Sequence, residues 1–225
     1  VYKRQQEEIL FVGGAEPRWS GETIGADVRS AVATDPSGEL GIFRVWTSAT
    51  SPPRFWGNNF PLTPSARRTR AEFDPIADDP TVDCAPKGMP YVMEQPYPME
   101  FVDAGDVIEM RLEEYDTVRR FLMSADAESQ APAPGILGRS VGRWNDDVLV
   151  VETSGIDYPW LNGRGIPLSE HARIQERFEV REDGSRLQYA MKFTDPLVFT
   201  EIVTFTKTWE WRPGEEVRPY DCISQ

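Results

Sequence analysis

Ala172-Arg-Ile-Gln-Glu-Arg-Phe-Glu-Val-Arg181, then Asp183-Gly184, then Arg186-Leu-Gln-Tyr-Ala-Met-Lys-Phe193 is the stretch that decides the fold. Every second residue shares a face: Ile174, Glu176, Phe178 and Val180 in the first run, Leu187, Tyr189, Met191 and Phe193 in the second. A two-residue period on both sides of an Asp-Gly turn predicts a hairpin of half-buried strands. The same period extends outward. Phe199 to Trp211 follows it, with Phe199, Val203, Phe205, Trp209 and Trp211. Upstream, Leu137 to Trp144 and Val148 to Thr153 flank the turn signal Asn145-Asp146-Asp147. Val107 to Tyr115 and Thr117 to Met123 flank Tyr115-Asp116, and Met99 to Val102 precedes Gly105-Asp106.

Eight such segments between Met99 and Trp211, with Glu39 to Thr47 ahead of them, predict an all-β domain. The expected form is an antiparallel up-and-down meander of eight to nine strands with one short helix, closed as a lipocalin-like barrel, since closure removes exposed edges. The helix is read at Thr63-Pro64, where Thr is a good N-cap and Pro suits the first turn. Ser124 to Gly135 reads as an exposed Ala/Pro-rich loop. Residues 1–38 read as an N-terminal arm or the remnant of a preceding domain, and 39–225 as the barrel.

With 225 residues, 40% hydrophobic and 27% charged, the composition is that of a globular chain. No apolar run approaches the ~20 residues of a membrane-spanning helix. The net charge of -13 repels phosphate backbones and argues against nucleic-acid binding. The chain opens Val1-Tyr2-Lys3-Arg4-Gln5, so any targeting segment would lie outside it. No phosphate loop, dinucleotide fingerprint or metal-ligand spacing occurs, and no cofactor or metal is expected. Cys84 and Cys222 are either one long-range disulfide or two thiols. Their irregular, Pro-flanked surroundings favour the disulfide and an oxidising compartment.

Gly138-Arg-Ser-Val-Gly-Arg-Trp144, Asp147-Val-Leu-Val-Val-Glu-Thr153, Ser169-Glu170 and Glu176-Arg177-Phe178 resemble the motifs of an uncharacterised family of bacterial, mostly exported proteins. Members of that family often carry a small β-rich domain of unknown function ahead of this region. The resemblance covers Gly41 to Cys222. It implies a β-rich fold, a periplasmic or secreted location and a preceding domain ending near Glu16-Pro-Arg-Trp19. It carries no reaction and no catalytic residue. A looser likeness to lipocalin and calycin barrels rests on Gly41-Ile-Phe43 and Trp46, with Arg212 on the last strand as the expected partner of that tryptophan.

Two carboxyls stand out. Glu176 lies between Ile174 and Phe178, and Glu201 between Phe199 and Val203. A carboxylate on an apolar face must be paired, protonated or at an open rim. Arg143 and Lys207 are the candidate partners. The expected cavity is lined by Ile174, Phe178, Leu187, Tyr189, Met191, Val203 and Phe205, with Trp56 and Trp160 in aromatic loops at its mouth as lid or plug. The leading expectation is therefore binding of a small hydrophobic or amphipathic molecule, its polar group fixed by Glu176, Glu201 and Arg143. An alternative is a cofactor-free lyase, isomerase or hydratase using Glu176 or Glu201 with Tyr189 as acid and base. A third is an interaction module with a solid barrel. Glu109, Arg111 and Glu113, opposite Arg119 and Arg120, read as a solvated outer face. His171 reads as a surface residue, since Ser169-Glu-His171 does not make a triad by spacing alone.

Overall fold

The computed structural model describes residues 40–49, 59–181 and 183–222. The N-terminal arm expected at 1–38, and Trp56 with its loop, lie outside the described residues. The strands are β1 (Val45–Ser48), β2 (Met99–Asp103), β3 (Val107–Leu112), β4 (Thr117–Leu122), β5 (Arg139–Asn145), β6 (Val148–Ser154), β7 (Arg173–Val180), β8 (Arg186–Thr194) and β9 (Val203–Trp211). They form one closed barrel in sequence order. Closure is made by β9 on β1, with Trp46 opposite Trp211 and Ser48 opposite Trp209. The all-β barrel expected from the two-residue period is the observed fold.

The turns explain why the register holds. Between β3 and β4, Tyr115 and Asp116 both take positive φ (57° and 47°), the backbone that a tight hairpin requires. Between β7 and β8 the Asp183 carboxylate accepts the Ser185 N–H at 3.0 Å and its hydroxyl at 2.7 Å. These hydrogen bonds hold Asp183 below the usual carboxylate range. With the turn fixed, Phe178 is set opposite Tyr189 and Glu176 opposite Met191, so all four face inward.

One pairing departs from the expected antiparallel meander. β4 and β5 run parallel and share only two residue pairs, Phe121 with Ser140 and Leu122 with Val141. A parallel neighbour needs a crossover rather than a hairpin. The stretch read as an exposed loop supplies it. Ser124 caps a short helix, α2 (Ala125–Gln130), by accepting the Ala127 N–H, and an extended Pro-rich segment returns to β5. The longer helix α1 (Pro64–Glu72) starts where the sequence predicts, with Thr63 Oγ1 accepting the Ala66 N–H.

The N-terminal strand is shorter than expected. Leu40 and Gly41 lie in a turn before it, and Arg44 stacks on the Trp46 and Trp211 rings at 5.1 and 4.6 Å. Arg212, the residue expected to pack on Trp46, is exposed beside Glu210 instead. Residues 73–98 and 155–168 form loops packed against the core. Cys84 and Cys222 form a disulfide, which ties the segment after β9 to the first of these loops across 138 residues of sequence.

Candidate functional site

The inner face of the barrel carries a polar network built from one residue on each of five strands. Inward positions on β4 are Thr117, Arg119 and Phe121, and on β7 Ile174, Glu176 and Phe178. Arg119 and Glu176 meet across the lumen, with Nη1 donating to Oε1 at 3.0 Å and Nη2 to Oε2 at 2.6 Å. Both side chains are fully buried (1% and 0% exposed). Tyr189 donates its hydroxyl to Glu176 Oε1 at 2.6 Å, and Thr153 donates to Oε2 at 3.3 Å. Ser140 and Thr153 share a further hydrogen bond of 2.8 Å. Each carboxylate oxygen of Glu176 thus accepts two hydrogen bonds. The charge is paired and hydrogen-bonded, as a buried carboxylate requires.

Glu176 is therefore inside the barrel, as its apolar neighbours on β7 imply, but its partner is neither Arg143 nor Lys207. Arg119 was grouped in sequence with Arg120 on an outer face, yet consecutive strand residues point to opposite sides. Arg120 goes outward to Glu109 (3.2 Å), where Glu109 also meets Arg111, and Arg119 goes inward. The signal was present in the alternation Thr117, Arg119, Phe121.

Two expected site residues are not in the lumen. Arg143 lies on the outer face of β5, half-exposed and paired with Glu152 at 3.1 Å. Glu201 is exposed, because β9 begins only at Val203. Phe199 is instead held in a bridge to Leu62, and the Thr200 N–H donates to Pro61 O, which breaks the alternation before the strand starts. Phe178, Tyr189, Met191 and Phe205 do face inward and are buried. Trp160 is half-buried in the loop layer, where its indole donates to Asp78 O at 2.9 Å and packs edge-on to Phe73. His171 is on the surface near Glu170.

Aromatic side chains also cross the lumen. Phe101 on β2 contacts Phe178 on β7 at 5.4 Å between centroids, and Phe121 lies 5.9 Å from Phe178. Tyr189 continues the stack at 4.8 Å from Phe178, and Trp209 lies 5.4 Å beyond it. Since β2 and β7 are not neighbours, these contacts fill the barrel at that level. Burial, and then the charge of Glu176, push the Tyr189 hydroxyl well above its ordinary range. Tyr189 and Glu176 are thus committed to each other, an arrangement that opposes proton transfer to a substrate.

Lys207 also lies inward, on β9. Its Nζ donates to Met93 O at 3.2 Å and Gln95 O at 2.6 Å, in the loop that packs on the barrel end. Burial lowers its pKa to about 7, against the pull of Glu94 and Glu114. Among the described residues no group of three or more His, Cys, Asp or Glu side chains could hold a metal ion.

Outside the barrel, the short β4–β5 seam leaves a groove of about 610 Å³ between the sheet and the α2 crossover. Val107, Val118, Leu122, Ile136 and Leu137 line it, with Arg120 and Asp126 also contributing. Arg139 steadies the far wall by donating to Glu128 O (2.9 Å) and Pro132 O (3.0 Å). Its position follows from the parallel pairing, which the strand pattern alone did not reveal. A scan against protein-family models and a search of curated proteins match nothing.

Proposed function

We propose that this chain is an exported binding protein whose barrel is a rigid frame. Its ligand, a small hydrophobic or amphipathic molecule, lies in the groove on the β4–β5 seam rather than in the lumen. The observation that carries this reading is the groove itself. Its volume, about 610 Å³, falls within the roughly 300–1,000 Å³ usual for small-molecule sites, and its lining is mainly apolar with a few charged groups. Arg120, 62% exposed, pairs with Glu109 through Nε and presents its terminal guanidinium nitrogens to an acidic head. The lumen offers less, because Glu176 is saturated with donors and aromatic rings meet across the barrel.

The Cys84–Cys222 disulfide supports export, since such bonds persist in oxidising compartments. Native mass spectrometry of protein secreted to an oxidising compartment tests the reading, alongside Ala127→Trp, which fills the groove from α2. The expected result is a small-molecule adduct on the parent protein that is lost in the variant. An adduct equally abundant on both would move the ligand elsewhere, and none on either after incubation with fatty acids would overturn the binding reading.

A further inference from the structure

β4 is paired on its β5 side for only part of its length. The parallel ladder joins Phe121 to Ser140 and Leu122 to Val141 and reaches no further back along β4. The hairpins on either side of β3 show which backbone groups face that side. The Met123 N–H donates to Asp106 O at 2.8 Å, and the Ala104 N–H to Val107 O at 2.9 Å. Hydrogen-bonded and non-hydrogen-bonded pairs alternate along an antiparallel ladder. β4 therefore turns the backbone of Thr117, Arg119 and Phe121 to β3, and that of Val118, Arg120 and Leu122 to β5. Val118, opposite Arg111, presents both its N–H and its C=O where the ladder with β5 has already ended. Among the described residues no loop backbone or side chain hydrogen-bonds to either group.

Val118 is half-buried and lines the seam groove. The facing wall includes Pro132 and Pro134, which have no N–H to offer the open edge. The groove thus brings together three kinds of surface. Val107, Leu122, Ile136 and Leu137 are apolar. Val118 supplies a backbone donor and acceptor on one residue. Arg120 supplies a cation, with Nε on Glu109 at 3.2 Å and its terminal nitrogens left for a ligand.

Resting on the reading that the ligand lies in this groove, we propose that its chemical class is an N-acyl amino acid with a free carboxylate. The acyl chain covers the apolar wall. The amide N–H donates to Val118 O, and the carboxylate accepts from the Val118 N–H and from Arg120. One amino-acid unit carries its N–H and its carbonyl oxygens on the same edge, as Val118 does, so the two close a hydrogen-bonded pair like those of an antiparallel ladder. A plain fatty acid matches Arg120 but brings no donor to Val118 O. A peptide without an acyl chain leaves the apolar wall in water.

Calorimetric titration of the whole chain compares three probes below their micellar concentrations: N-decanoylglycine, N-decanoylsarcosine, in which a methyl group replaces the amide hydrogen, and dodecanoate. The expected result is that N-decanoylglycine binds at least about tenfold more tightly than either of the others, the effect of one hydrogen bond made or lost. It should also slow hydrogen exchange at the Val118 amide, read by nitrogen-resolved NMR. Val118→Pro, which removes the edge N–H without touching the β3 ladder, should abolish the advantage of N-decanoylglycine over dodecanoate. The ligand series and the exchange measurement need no variant, so a folding defect in Val118→Pro does not blunt the test. Equal affinity for all three probes, each lost in Ala127→Trp, would overturn the amide recognition and leave the groove reading standing. So would tight binding of N-decanoylglycine with unchanged exchange at Val118. Affinity for none of the probes, or affinity unchanged by Ala127→Trp, would remove the groove reading and this inference with it.

Discussion

Arg119 of β4 and Glu176 of β7 are joined across the barrel by two parallel hydrogen bonds of 3.0 and 2.6 Å, and neither side chain reaches solvent. Removing one partner leaves the other charge buried without compensation. Glu176→Gln or Arg119→Met is therefore expected to cost about 3–5 kcal/mol in denaturant unfolding. The double variant Arg119→Met with Glu176→Gln should lose less than the two singles summed, because no charge is stranded. Additive losses would mean that the two residues act independently.

Tyr189→Phe removes one of the four donors to Glu176. A loss of about 1.5–3 kcal/mol is expected, the range for a hydrogen bond to a charged group. Equal stability of the variant and the parent would show that the hydroxyl is not needed to hold the carboxylate.

Lys207 predicts how stability varies with pH. Its folded-state pKa, about 7, lies below the usual lysine value, so between these pH values the unfolded chain binds a proton that the folded chain does not. Stability contributed by this group must rise with pH across that window, from about pH 7 to about pH 10. Urea midpoints measured across it should climb in the parent protein and stay flatter in Lys207→Met. A falling midpoint in the parent would contradict the burial of a depressed-pKa lysine.

The Cys84–Cys222 bond closes 138 residues of sequence. In the chain-entropy description a loop of that length contributes about 5 kcal/mol, an upper figure since the native state and residual unfolded structure reduce it. Cys84→Ser with Cys222→Ser should lower the melting temperature by several degrees or more. An unchanged Tm would show that the segment after β9 is held by other contacts, such as the Tyr220 ring against Tyr97 and Tyr115.

Much of the fold is legible because strand alternation is a strong local signal. Ile174, Phe178, Leu187, Tyr189 and Met191 all point inward as their spacing implies. Glu176 could be placed in the interior by the same reasoning. Its partner could not, because the β4–β7 contact spans 57 residues and no local pattern names it. Glu201 was misplaced for the opposite reason. Its alternation is continuous with β9, but the Phe199–Leu62 bridge starts a turn that a one-dimensional pattern cannot show. Arg143 shares its face of β5 with Val141 and Asn145, and the inward positions Ser140 and Gly142 carry no large apolar side chain to mark the inner face. The seam groove depends on a parallel pairing of only two residue pairs, and Ala/Pro-rich sequence gives no sign of it.

The claim that apolar molecules bind at the seam and not in the lumen is tested most directly by titrating anilinonaphthalene sulfonate, an apolar ring system with an anionic head, into three proteins. These are the parent, Ala127→Trp in the groove wall, and Met191→Leu in the lumen, each checked for unchanged circular dichroism. The account predicts saturable fluorescence enhancement in the parent and in Met191→Leu, with affinity at least about tenfold weaker in Ala127→Trp. Equal affinity in the parent and Ala127→Trp, with loss in Met191→Leu, would place the ligand in the lumen and contradict it.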